Sequence, residues 1–117
     1  MAMEGELVRH IGKRPATLLY PFEKKAPPEG ARGRHVWSPE RCIGCGLCVR
    51  DCPAFAIEMI GKGLTAELRI HLDRCLFCGQ CEEVCPRKAI RLTTEYELAD
   101  YNRDDLVIEF KRPKGKP

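Results

Sequence analysis

The chain has 117 residues, 44% hydrophobic and 32% charged, with 20 Lys and Arg against 17 Asp and Glu and a formal net charge of +3. That length fits one domain, and so small a charge gives no argument for nucleic-acid binding, where a concentrated basic face is expected. No run approaches the roughly 18–20 apolar residues of a membrane span, and charges from Glu4 onward exclude a secretory signal, so the chain reads as intracellular and soluble or peripheral.

Residues 1–34 form the first segment. Pro15, Pro21, Pro27 and Pro28, with Gly30 and Gly33, break any helix there quickly. Leu18, Leu19, Tyr20 and Phe22 cluster between them. An extended, proline-fixed stretch with exposed apolar anchors is what a chain uses to wrap a partner. His35–Trp37 then reads as a short strand, with Trp37 in the core or at an interface.

Residues 42–53 read CIGCGLCVRDCP, and residues 75–86 read CLFCGQCEEVCP. All eight cysteines lie in these two stretches, each spaced C-x2-C-x2-C-x3-C-P. Disulfides require an oxidising compartment, which the missing signal argues against. Structural zinc takes two separated cysteine pairs or adds histidine, whereas here a third cysteine follows at once and neither run contains a histidine. Three cysteines two residues apart on a curled loop can point three thiolates at three corners of an iron–sulfur cubane. The same loop is too tight to supply the fourth corner. The fourth cysteine, three residues on, is expected to face away at the start of a short helix. No position of the pattern is missing, as a [3Fe–4S] site would suggest. Gly44, Gly46 and Gly79 suit such loops, where N–H groups approach cluster sulfurs. Pro53 and Pro86 suit the turn that re-aims the last thiolate.

Between the runs, Leu64, Ala66, Leu68, Ile70 and Leu72 alternate with polar residues, the period of a half-buried strand. Gly61-Lys62-Gly63 turns this strand back on Ala56–Ile60 as a hairpin. Ala89–Thr93 and His35–Trp37 are expected to pair with that hairpin. Residues 41–57 laid on 74–90 match at Arg41/Arg74, Gly46/Gly79, Ala56/Ala89 and Ile57/Ile90 besides the cysteines and prolines, so the middle is a duplicated unit. Four short strands and two short helices make an α+β fold over residues 35–93.

Residues 94–117 extend past that unit. A short turn or helix is expected near Tyr96–Tyr101, then the apolar stretch Leu106–Ile108 with Phe110, then a basic tail from Lys111. His10, His35 and His71 are isolated and read as surface or structural; His71, on the polar face of its strand, is a weak candidate for tuning a bound group. Glu82 and Glu83 read as a solvated helix face. No phosphate loop, nucleophile–base pair or paired catalytic carboxylates stand out, so the chain itself is expected to make and break no substrate bonds. Single Asn102 and Gln80 residues among many charges lean toward a thermophilic source.

Over residues 35–93 the chain resembles the bacterial-type two-cluster ferredoxins, whose fourth cysteine ligates the other cluster. That resemblance implies two [4Fe–4S] clusters and one-electron transfer, one cluster on Cys42, Cys45, Cys48 and Cys85, the other on Cys75, Cys78, Cys81 and Cys52. Two such clusters, each about −2, bring the formal charge from +3 to about −1. YPFEK and PPEGARGRHVW before the runs, ERCIGCGLC and DRCLFCGQCEEVCP within them, and AIRLTTEYELADYNRDDLV after them extend the likeness to residues 14–108. There the chain is similar to the two-cluster subunit of the complex I and membrane-bound energy-converting [NiFe]-hydrogenase family. This implies an electron-transfer relay subunit at the cytoplasmic side of the membrane, peripheral, in an ion-translocating complex. Its implied partners are a cluster-bearing small subunit, a catalytic large subunit and external ferredoxin as donor. Complex I members usually carry a longer N-terminal amphipathic region. The compact length and the composition favour the archaeal hydrogenase or sulfane reductase branch; NADH:quinone oxidoreductase and a free ferredoxin are the alternatives.

Overall fold

The structure is a computed structural model that describes residues 3–113. The middle of the chain is built from two antiparallel ribbons. In one, β1 (His35–Trp37) pairs with β4 (Ile90–Leu92), setting Trp37 opposite Ile90. In the other, β2 (Ile57–Ile60) pairs with β3 (Glu67–His71), setting Ile57 opposite Ile70. The repeat offset carries one ribbon onto the other residue for residue: His35 opposite Leu92 becomes Leu68 opposite Met59. The connecting hydrogen bonds repeat as well, Ser38 N to Ala89 O at 2.7 Å and His71 N to Ala56 O at 2.8 Å.

This pairing corrects the expectation that β1 and β4 join the central hairpin. Each half's first strand pairs with the other half's last strand, so the duplicated units interleave. The hairpin also begins later than the alternation suggests. Gly63–Thr65 forms a single 3-10 turn that leaves Leu64 exposed, and the strand starts at Glu67. From there the alternation holds, with Leu68 and Ile70 inward.

The core gathers Trp37, Ile57, Leu68, Ile70, Ala89 and Ile90 with Cys81. Of its large side chains only Ile70 and Ile90 are completely enclosed. So small a core is a weak source of stability, and a bound group is the natural complement.

Both flanks carry structure that the sequence did not suggest. Helix α1 (Glu4–Ile11) lies in the stretch expected to be extended, in eight residues that precede the first proline. Glu4 and Glu6 open it and Arg9 and His10 close it, the favourable arrangement for a helix dipole. None of its residues is buried. At the other end, Tyr96–Tyr101 holds a tight turn, Leu98 N donating to Tyr96 O at 2.9 Å, and no helix. A turn at Asp104–Leu106 leads into β5 (Val107–Phe110), which adds to β3 and makes a sheet of order β2-β3-β5. Phe110 packs against Trp37, ring centroids 6.1 Å apart. The basic tail from Lys111 is described only to Pro113.

The two flanks meet. Gly33 N donates to Thr93 O at 2.6 Å and Arg34 N to Glu95 O at 2.8 Å. Further out, Tyr20 Oη donates to Glu97 at 2.8 Å and Lys24 Nζ lies 2.5 Å from the same carboxylate.

Candidate metal centre

Each cysteine run folds as a loop, one helical turn and a sharp bend. The turns are α2 (Leu47–Arg50) and α3 (Gln80–Glu83), entered through Gly46 and Gly79 at φ +75° and +83°. In the first loop Gly44 has φ +66°, and its repeat counterpart Phe77 takes φ +50°. Only at Gly44 does the backbone of the hairpin turn press so close that a Cβ would run into Gly63. Cys52 and Cys85 come after the helical turns end, not at their start as the spacing suggested. They are re-aimed by bends in which Phe55 and Lys88 hold φ +49° and +47°. Ala56 N donates to the Cys52 sulfur at 3.4 Å and Ala89 N to the Cys85 sulfur at 3.2 Å, again one repeat apart.

The interleaving brings the cysteines together in two sets. Cys42, Cys45, Cys48 and Cys85 line one apolar cavity. Cys75, Cys78, Cys81 and Cys52 line a second. Each set is three thiols of one run and one of the other. Burial, and then the neighbouring Cys42, Cys45 and Cys85, push the Cys48 thiol up to about 11. Burial, with Cys75, Cys48 and Cys78 nearby, pushes Cys81 up to about 12. Four thiolates this close in an apolar setting require a polycation among them. All eight cysteines are free of disulfides. Among the described residues no three His, Cys, Asp or Glu side chains converge on a point that one metal ion could occupy. In each set three thiols of one run and one of the other share an apolar lining, a donor set that suits a group with several metal atoms. The donor set and its shape therefore fit a cubane iron–sulfur cluster in each cavity.

Side chains distant in sequence brace the two loops. Arg112 donates to Cys42 O at 2.6 Å and Ala66 O at 3.0 Å while its guanidinium lies over Trp37, 5.6 Å from the ring centroid. Arg32 donates to Cys78 O at 2.5 Å. Glu82 accepts Leu92 N at 3.0 Å, so it ties α3 to the end of β4 rather than simply facing solvent. His71 faces Glu58, 3.0 Å away, and Asp73, not either cavity. The histidine beside a cavity is His35: it is buried, its Nε2 is 3.8 Å from the Cys75 sulfur, and its ring lies 5.7 Å from that of Phe77. Burial lowers its pKa, which favours the neutral imidazole. The sequence had offered His71 for such a role and read His35 only as surface or structural, so it signalled none of these contacts.

The interleaved ribbons and the two four-thiol cavities define a two-cluster ferredoxin-type iron–sulfur protein. Residues 41–89 match the 4Fe-4S dicluster domain family. The chain is 44% identical over 110 residues to the NAD(P)H-quinone oxidoreductase subunit I of a Synechococcus strain, covering 87% of this chain and 52% of that one. It is 42% identical over 120 residues to the NADH-quinone oxidoreductase subunit I of Syntrophotalea carbinolica, covering 87% of this chain and 68% of that one. The chain belongs to this subunit I family, and its cofactors are two [4Fe–4S] clusters. It spans about half the length of several of the curated relatives it matches. A solved structure of the membrane-bound sulfane sulfur reductase, an archaeal respiratory membrane complex, contains a similar chain. That likeness has a TM-score of 0.68 at 31% identity and covers 91% of this chain and 59% of the other. No helix among the described residues is long and apolar enough to cross a membrane.

Proposed function

We propose that the chain is the electron-transfer relay subunit of a membrane-bound, ion-translocating oxidoreductase complex. The observation that carries this reading is the pair of four-thiol cavities, each completed by a cysteine from the other run. Cys42, Cys45, Cys48 and Cys85 hold one cluster; Cys75, Cys78, Cys81 and Cys52 hold the other. When bound, the clusters supply two one-electron couples. The chain does the rest: Cys52 and Cys85 lock the two centres at a fixed separation, and the Ala56 and Ala89 amides stabilise negative charge on the re-aimed sulfurs. Arg112 and Arg32 hold the loops.

The flanks support the assembly half of the proposal. Leu18, Leu19, Tyr20 and Phe22 are all exposed, a set of apolar anchors with nothing over them. The chain docks peripherally on the cytoplasmic side, against a cluster-bearing small subunit and a catalytic large subunit. The sulfane reductase likeness and the composition favour a ferredoxin-fed hydrogenase or sulfane reductase. The identity to quinone oxidoreductase subunits supports the second reading, a complex I subunit.

Anaerobic purification from the native host tests the proposal. About eight irons per chain, with co-migrating membrane subunits, is the expected result. An iron-loaded monomer without partners sinks the relay and leaves a free ferredoxin; two zincs per chain sink the clusters. The genes beside this one decide the branch.

A further inference from the structure

The two cavities are related by the repeat, which makes their differences informative. The offset that carries Cys42 to Cys75 carries His35 to Leu68. Both residues are buried at 2% exposure, and each lines a cavity: Leu68 the one ringed by Cys42, His35 the one ringed by Cys75. Other lining pairs differ too, Leu47 against Gln80 and Arg87 against Ala54, but Gln80 and Arg87 are exposed, where water screens them. Arg112 on Cys42 O and Arg32 on Cys78 O give each loop one guanidinium. Two buried polar lining residues therefore differ, His35 against Leu68 and Trp37 against Ile70, but Trp37 Nε1 is enclosed without a protein partner, whereas His35 reaches a cysteine sulfur that also accepts Phe77 N at 3.4 Å. His35 Nε2 faces the Cys75 sulfur at 3.8 Å, while His35 Nδ1 is enclosed with no protein partner. The proton is best placed on Nε2, where the sulfur accepts it.

We infer that His35 donates its Nε2–H to the Cys75 sulfur and raises the reduction potential of the cluster in the second cavity, a contact that Leu68 denies the first. A donor to a ligating sulfur stabilises the more negative, reduced cluster over the oxidised one. The chain thereby makes two centres of common design unequal, and the added electron is biased toward the second.

This rests on the two-cluster reading, so iron content is measured first on the full chain, loaded anaerobically. Redox titration followed by electron paramagnetic resonance is then compared for wild type, His35→Leu, His35→Gln and Leu68→His. His35→Leu is expected to lower one potential and leave the other in place. The expected size is about a tenfold change in that cluster's oxidised-to-reduced ratio, or about 59 mV for one electron. His35→Gln retains a donor and recovers most of the shift. Leu68→His raises the other cluster. In wild type labelled with 15N-histidine, the more readily reduced cluster couples to a histidine nitrogen, and His35→Leu abolishes that coupling. Eight irons with unmoved potentials in His35→Leu, equal shifts in both clusters, or no histidine coupling in wild type each overturn the inference. If His35→Leu does not load, Leu68→His and the wild-type coupling decide. A wild-type chain that loads no iron overturns the two-cluster reading itself, and this inference with it.

Discussion

Gly44 and Gly46 stand two residues apart in one cysteine loop, both at positive φ, yet they are constrained differently. A Cβ on Gly46 meets open space, so Gly46→Ala faces only the left-handed backbone penalty of about 1–2 kcal/mol. A Cβ on Gly44 faces the same penalty and also runs into the Gly63 backbone, which has no flexible end to move aside. Gly44→Ala is therefore expected to push the first loop off the hairpin and lose one cluster, so iron falls from about eight per chain toward four. Gly46→Ala is expected to keep both clusters with a lower Tm. Equal iron in the two variants contradicts this ranking. The contrast is invisible in CIGCGLC, where both are simply glycines in a loop; it appears only once the hairpin turn is folded against the first of them.

At the scale of elements, β5 carries the strongest prediction. It extends the sheet through β3 along four registered pairs, from Leu68 opposite Phe110 to His71 opposite Val107, and Arg69 reaches across to Glu109 at 2.7 Å. A chain ended after Tyr101 keeps all eight cysteines and both ribbons. It loses the cover on the β3 edge, the Phe110 contact with Trp37 and the Arg112 brace on the Cys42 loop. Each large apolar side chain so uncovered costs about 1.5–3 kcal/mol, against a total stability of about 5–15 kcal/mol for an ordinary domain. The truncated chain is expected to unfold at markedly lower urea and to lose iron faster, as the midpoint and the decay of visible absorbance would show. An unchanged midpoint would mean that residues 35–93 stand alone. The cysteine runs were readable because ligand spacing is local: four thiols within eleven residues report their own loop. The pairing of β1 with β4, the Arg112 brace to Cys42 and the His35 contact with Cys75 were not. The brace joins residues 70 apart and the histidine contact residues 40 apart, and nothing in the intervening sequence encodes them. Helix α1 escaped notice because the prolines that argue against a helix all lie after it.

The whole molecule is longer than its residue count requires. A compact chain of this size has a radius of gyration of about 13 Å, whereas this one has 20.3 Å and extents of 73 × 29 × 28 Å. The excess fits a flank that does not fold back on the core. Helix α1 buries nothing, and Phe22 is 91% exposed. The attachment is local: Tyr20 and Lys24 reach Glu97, and Gly33 and Arg34 zip along Thr93–Glu95. An isolated domain gains nothing from holding apolar side chains out in this way, but a subunit does if another chain covers them. Replacing Leu19 and Phe22 together with serine touches neither cavity. In the isolated loaded chain, iron content and both reduction potentials are expected to match wild type, because no contact to a cysteine loop has changed. In the native host, recovery of the other membrane subunits with the tagged variant is expected to drop at least tenfold, an interface loss of about 1.4 kcal/mol or more. Undiminished recovery would place the assembly contacts elsewhere. A shift in the potentials would mean that the flank reaches the clusters after all.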